Sequence, residues 1–325
     1  MIRRLLRTRE LALIIILMGV FTYFSLTTEG FFDWFNQLER TRYWVAPGLL
    51  AIPMTFIIAT AGIDLSVGSI VALCGIVLGL LYRDAGWPIA LAAIAAIAAG
   101  GLAGAFNGGV SSFLRIPPLV VTLATMTLFR GLAMGLSEAD SISNFPPGFI
   151  WLSQGDLFTI PLGGETIFVP FPLLVLLAGA LFGALLLKKS WIGRYTECIG
   201  ENATAAEFAA IPVRWLTFAL YTGTGVVAGI VSLFYTALFA TAKADVGVGL
   251  ELEAITCVVL GGTRISGGQA SVLGTLLGLC IIGMLRYGLE LGGFRSQYII
   301  IVVGVLLVVT VVINEWTVRR TSTFA

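Results

Sequence analysis

The 325-residue chain is predicted to be all-α, a polytopic integral membrane protein of about ten transmembrane helices with one short helix on the cytoplasmic side. Three observations predict it. First, 58% of the residues are hydrophobic and 11% charged, where soluble domains carry about 25% charged residues. Second, the apolar residues come in runs, most of them long enough to cross a hydrocarbon core at roughly 1.5 Å per residue. Third, 39 glycines suit packed membrane helices, whose backbones approach where side chains are small. No segment reads as a soluble domain, so residues 1–325 are expected to form a single membrane domain.

The runs are roughly 10–29, 44–62, 66–82, 87–110, 117–137, 167–187, 214–240, 250–263, 270–288 and 296–314. The first follows Arg3, Arg4, Arg7 and Arg9 as a secretory leader would. Thr27-Thr28-Glu29-Gly30-Phe31 stands where a small-x-small cleavage site would be, so the run is expected to stay as span one.

Between the second and third runs lies Ala61-Gly62-Ile63-Asp64-Leu65-Ser66-Val67-Gly68-Ser69. A carboxylate inside lipid costs roughly 3 kcal/mol even on lenient insertion scales. Asp64 is therefore expected at a membrane boundary, in a polar cavity or against a partner. It can cap span three, or line a solute path; both readings stay open. In the fourth run Asn107 suits hydrogen bonding across helices or to a solute hydroxyl. In the fifth, Thr122, Thr125 and Thr127 fall near one face, where threonines often bond their own backbone.

The longest non-apolar segment, 138–166, holds four acidic residues and no Lys or Arg. The eighth run is short for a straight span and is expected to be tilted, broken or extended into Gly261-Gly262. Glu251 and Glu253 stand at its outer mouth, favoured at a helix start or available to an arriving molecule. Gly261-Gly262-Thr263-Arg264-Ile265-Ser266-Gly267-Gly268 reads as a tight turn between spans eight and nine.

Charge sets the expected orientation. With the N-terminus inside, Arg3, Arg4, Arg7, Arg9, Arg115, Lys188, Lys189, Arg194, Arg214, Arg264, Arg319 and Arg320 lie inside, twelve of the 19 basic residues. Six lie outside and Arg130 falls within a span, so both termini are expected in the cytoplasm.

Several chemistries are excluded. Net charge is +1 and histidine is absent, so neither nucleic acid nor a metal centre is expected. The four cysteines are scattered and read as small hydrophobes. No Gly-x-x-x-x-Gly-Lys-Ser/Thr phosphate loop occurs, so no ATPase site and no cofactor are expected. Phe and Trp number 28, and Trp34, Trp44, Trp87, Trp151 and Trp316 lie at predicted boundaries, as interfacial belts require.

Segment 188–214 contains a short helix with clear ends. Asn202 or Thr204 can cap it, Thr204 and Glu207 fit a capping box, alanines fill it and Pro212 stops it. It suits either a connector resting on the membrane or a docking element for a soluble partner.

Four motifs in one order, spread over 45–314, carry a resemblance: Gly62–Ser69; Asn107-Gly108 with Arg115-Ile116-Pro117-Pro118-Leu119-Val120-Val121-Thr122-Leu123-Ala124-Thr125; Gly193-Arg194 with Ile199–Ala206; and Glu253-Ala254-Ile255 with Val259–Thr263 and Gly267-Gly268. The chain resembles the sugar-importing ABC transporter permeases, the group of the ribose, xylose, rhamnose and autoinducer-2 systems within the branched-chain amino acid/sugar permease superfamily. That resemblance implies two permease subunits, identical or paralogous, an ATP-binding cassette ATPase on each, an extracytoplasmic solute-binding protein and a bacterial cytoplasmic membrane. It implies that Gly200, Glu201, Asn202, Ala205, Ala206 and Glu207 belong to an ATPase-coupling helix. Asp64, Ser66, Asn107, Thr122, Thr125 and Glu253 become candidates for the path of a small neutral sugar or sugar-like molecule. Family members commonly carry Gly where this chain has Ala210, a change expected to tighten the helix end. The competing class is an ion-coupled secondary transporter, which also uses broken helices.

Overall fold

The structure, a computed structural model, describes residues 2–162 and 165–322, without the side chains of 2–9, 160–162, 165–167, 296 and 313–322. It is all-α apart from one hairpin. In chain order the elements are α1 (Ile2–Thr27), α2 (Trp34–Ala59), α3 (Val67–Arg83), α4 (Ile89–Phe113), α5 (Pro118–Ser137), α6 (Pro147–Gln154), β1 (Asp156–Leu162), β2 (Glu165–Pro170), α7 (Phe171–Lys189), α8 (Trp191–Glu201), α9 (Ala203–Phe208), α10 (Val213–Phe239), α11 (Leu250–Leu260), α12 (Val272–Leu291) and α13 (Ser296–Ser322).

Among the described residues seven helices are long and apolar enough to cross a membrane: α2, α4, α5, α7, α10, α12 and the Glu10–Thr27 part of α1. The other three expected spans fall on α3, α11 and α13, whose described apolar stretches are shorter. Six of the basic residues used to orient the chain, Arg3, Arg4, Arg7, Arg9, Arg319 and Arg320, have side chains outside the described residues.

Helix α2 is the hub, packed against α7, α10, α11 and α12. Asp33 starts it, its Oδ1 accepting the amides of Phe35 and Asn36 at 2.8 and 3.2 Å. Pro47 and Pro53 lie inside it, tolerated because neighbouring helices surround the freed carbonyls. The closest helix pair is α4 with α10. Gly100 and Gly104 meet Gly225, Gly229 and Tyr221 backbone to backbone, and a Cβ on Gly104 would overlap the Tyr221 carbonyl. Large apolar side chains such as Ile15, Leu123, Leu181 and Ile300 cover the outside of the bundle, a surface suited to lipid.

One end of the bundle carries α8 and α9. The other carries α6 and the antiparallel β1–β2 hairpin, in which Ile160 pairs with Ile167 and Leu162 with Glu165. Arg42 of α2 fixes the hairpin's base. Its guanidinium donates to the carbonyls of Ser153 and Gly155 and to Asp156 Oδ1, at 2.8, 3.1 and 2.5 Å. Trp34, Trp87 and Trp151 are exposed, as a belt requires. Trp44 departs from that expectation: its indole turns inward onto Gly283 of α12, where only hydrogen leaves room.

The eighth run departs too. Beyond α10 the chain does not leave the bundle. Ala242 bridges to Ile142 at the hairpin end and packs near Gly75, and Gly247 then lies against Gly68. Seven residues of α3 separate those two contacts, about 10 Å of helix. Helix α11 therefore starts inside the bundle and needs only 11 residues to reach the α8–α9 end. Glu251 and Glu253 stand at this internal start rather than at an outer mouth.

Candidate functional site

The break between α2 and α3 is built from backbone exceptions. Thr60 ends α2, Ala61 adopts φ +61°, and the Gly62 amide returns to the Ile57 carbonyl at 3.0 Å, a closing turn of the Schellman kind. The chain then runs without regular structure to Ser66. Asp64 is fully buried, and its Oδ1 accepts both the amide and the hydroxyl of Ser66, at 2.9 and 2.6 Å. It does not cap α3. The N-cap residue is Ser66, whose own side chain makes no capping bond, so Asp64 fixes the residue before the helix rather than the helix amides. Of the three expected placements, the buried partner is the observed one.

Three other helices converge on this break. Asn107 Nδ2 of α4 donates to Ser66 Oγ at 2.7 Å. Thr122 of α5 donates to the Ile63 carbonyl at 3.2 Å, and Tyr221 of α10 reaches the same carbonyl at 3.4 Å. Thr125 and Thr127 bond backbone carbonyls of their own helix. Two buried acceptors, Asp64 Oδ2 and Asn107 Oδ1, have no partner among the described residues. The node is closed and polar, and it joins α4, α5 and α10 to the one irregular stretch of the α2–α3 pair.

Glu253 is elsewhere. It pairs with Arg286 of α12 and lines a cavity of about 250 Å³ that opens at the hairpin end between α2, α10, α11 and α12. The segment leading to it is held by Arg130 of α5, which donates to the carbonyls of Ala244 and Val246 at 2.6 and 2.5 Å. A cation in mid-span is costly unless it is paired, and here it satisfies two carbonyls of a chain that makes no regular structure. Gly68 completes the fit, since a Cβ there would strike the Gly247 carbonyl and the Glu251 carboxylate.

At the opposite end, segment 188–214 folds as two helices rather than one. Ser190 caps α8 by accepting the Ile192 and Gly193 amides. Asn202 ends α8 and caps α9, its Oδ1 accepting the Ala205 amide at 2.9 Å, so Asn202 and not Thr204 is the cap. Glu201, Asn202, Ala205 and Glu207 are exposed, and Phe208 is 88% exposed. Ala206, alone among these coupling-helix candidates on α9, is buried, packed with Ile199 and Leu216. Gly200 packs on α2. Burial raises the Glu197 carboxyl above the usual glutamate range; the Ala270 amide offsets part of the rise and Glu201 adds to it.

Residues 37–311 match the family of permease components of branched-chain amino acid transport systems. The chain belongs to this permease family. It is 33% identical over 329 residues to the autoinducer 2 import system permease protein LsrD of Escherichia coli strain SMS-3-5, covering 96% of this chain and 97% of that one. It is 34% identical over 327 residues to the protein of the same name from Salmonella typhimurium strain LT2, covering 96% of both. No solved structure matches it.

In this permease the expected pathway residues thus separate. Asp64, Ser66, Asn107 and Thr122 come together, closed, around the break; Thr125 is buried one turn further along α5, bonded to the Thr122 carbonyl; Glu253 faces the open cavity. In the sequence Arg130 is only a charge within a span; its partners are carbonyls that no side-chain pattern reveals. Arg40, Tyr235, Arg286 and Tyr287, which share the cavity with Glu253, come from three helices distant in sequence. The one signal for α8 was Ser190 followed by Ile192, Tyr195 and Ile199, a cap and an apolar stripe at helical spacing.

Proposed function

We propose that this permease is the membrane subunit of an ATP-binding cassette importer, and that it passes a small neutral sugar-like molecule, autoinducer 2 being the leading candidate, into the cytoplasm. The observation that carries the reading is the α8–α9 pair. It presents an exposed, capped helix at the end of the bundle while Gly200 rests on the last turn of α2. Gly200, Glu201, Asn202, Ala205, Ala206 and Glu207 form the coupling element, with Ala206 as its anchor and Ala205, Glu207 and Phe208 as its contact. ATP is hydrolysed by the separate cassette subunit. A second permease, identical or paralogous, and an extracytoplasmic binding protein complete the complex, and the chain sits as one unit of ten spans in the bacterial inner membrane with both termini cytoplasmic. Asp64, Ser66, Asn107, Thr122 and Thr125 form the closed part of the route and Glu253 its open part.

Replacing Ala205 with Arg places a bulky charge on the contact face, and burying it unpaired costs several kcal/mol. Uptake and ATPase co-purification are expected to fall together at normal membrane abundance. Arg at Ala206 strikes the anchor and is expected to lower abundance as well. A second reading, an ion-coupled carrier, is favoured by one observation, the unpartnered Asp64 Oδ2. Gradient-driven uptake into vesicles that lack any ATPase selects that reading; uptake that requires the ATPase and ATP selects the importer.

A further inference from the structure

We propose that the hairpin-end cavity between α2, α10, α11 and α12 binds one small, neutral, polyhydroxylated molecule within a single protomer, a halting site on the solute's way that rests on the importer reading. Its volume of about 250 Å³ lies just below the roughly 300–1,000 Å³ of sites for drug-sized ligands, which suits a single small ring.

The charge of the lining selects a neutral ligand. Arg40 pairs with Glu290 at 2.8 Å and Arg286 pairs with Glu253. Two guanidinium groups balance two carboxylates, so the lining carries no net charge to attract an ion. Each pair still has lone pairs and N–H groups to spare, an arrangement that suits hydroxyls, which both donate and accept.

Aromatic rings supply the rest. Trp44 and Tyr235 stand at the wall and can pack on the carbon face of a sugar ring. The indole is seated there because Gly283 leaves room for it and no larger residue would. Tyr287 is the decisive group. It is 3% exposed, its ring lies 4.9 Å beneath the Arg40 guanidinium, and its hydroxyl has no partner among the described residues. A buried hydroxyl left without a partner is unfavourable. A ligand hydroxyl in the cavity would satisfy it.

The test titrates D-ribose, D-xylose and autoinducer 2 against the purified full chain and reads indole fluorescence. The expected result is a saturable quench with at least one of the three, abolished in Trp44→Phe and moved about tenfold to higher ligand in Tyr287→Phe. Phenylalanine removes only an oxygen that bonds nothing among the described residues, so a purely packing role for Tyr287 predicts an unmoved curve and equal or higher thermal stability. An unmoved curve, or no quench with any of the three, overturns the site. ATP-dependent uptake by the complete system reports separately on the importer reading. Uptake without quench removes the cavity site and keeps the importer; quench without uptake does the reverse.

Discussion

Gly200 of α8 lies against the carbonyl of Ala59, the last residue of α2, with no space between them for a Cβ. The same carbonyl accepts the Gly268 amide at 3.0 Å. The helix that precedes the proposed coupling contact is thereby in direct touch with the turn that leads, through Ala61, into Asp64. A push on α8 is therefore passed directly to the end of α2, where the break toward α3 begins.

That contact predicts an uncoupling mutation. Gly200→Val forces α8 off α2, an overpacking that costs about 1–3 kcal/mol, while α9 and its exposed face are kept. The expected outcome is a complex that still co-purifies with its ATPase and still hydrolyses ATP but has lost most uptake. Uptake at the parent rate in a Gly200→Val complex would show that force does not travel by this route.

Asp64 yields a second contrast. Asparagine keeps an acceptor for the Ser66 amide and removes a buried carboxylate whose second oxygen is unpartnered, so Asp64→Asn is expected to leave thermal stability equal or raised. Leucine leaves the Ser66 amide unsatisfied, costing about 1–3 kcal/mol. Thermal unfolding of both variants in one detergent checks this. An asparagine variant as unstable as the leucine one would mean that the charge itself, and not the hydrogen bonds, holds the break.

Much of this architecture was legible. Apolar runs located the helices because a hydrocarbon environment allows little else, and each expected run falls on a helix. The polar exception at Asp64 and the cap at Asn202 were readable because both act within a few residues of chain. What escaped depends on distance. The descent of 241–249 is set by Arg130 and by Gly68, residues more than one hundred positions away. The β1–β2 hairpin had a local signal, Gly163-Gly164 between apolar stretches, obscured by Pro161 and Pro170. Asp64 and Glu253, both candidates for the solute path, part because Glu253 turns toward Arg286 of α12 and the cavity there, whereas Asp64 is closed in against Ser66.

Cys198 offers a direct reading of orientation. It is exposed on α8, whereas Cys74 and Cys257 are buried and Cys280 is partly so. With α8 in the cytoplasm, a membrane-impermeant maleimide is expected to leave Cys198 unlabelled in intact cells and to label it in inverted vesicles. A cysteine introduced at Glu138, at the opposite end of the bundle, should behave in the reverse way. Labelling of Cys198 from outside would invert the proposed topology.

The end of α9 carries the last prediction. Ala210 adopts φ +60°, the left-handed conformation with which helices close, and the Ile211 amide bonds the Ala206 carbonyl at 3.0 Å across it. For a residue with a Cβ this conformation costs roughly 1–2 kcal/mol, and glycine adopts it almost freely. Alanine at this position therefore strains the helix end rather than tightening it, contrary to what its helix propensity suggests. Ala210→Gly is expected to stabilise the α9 terminus by about 1 kcal/mol, slowing hydrogen exchange at the Ile211 amide while leaving the contact face of Ala205, Glu207 and Phe208 unchanged. Uptake should be equal or higher, since a firmer end transmits the ATPase's movement with less slack. Faster exchange at Ile211 in the glycine variant would mean that the added backbone freedom outweighs the relieved strain.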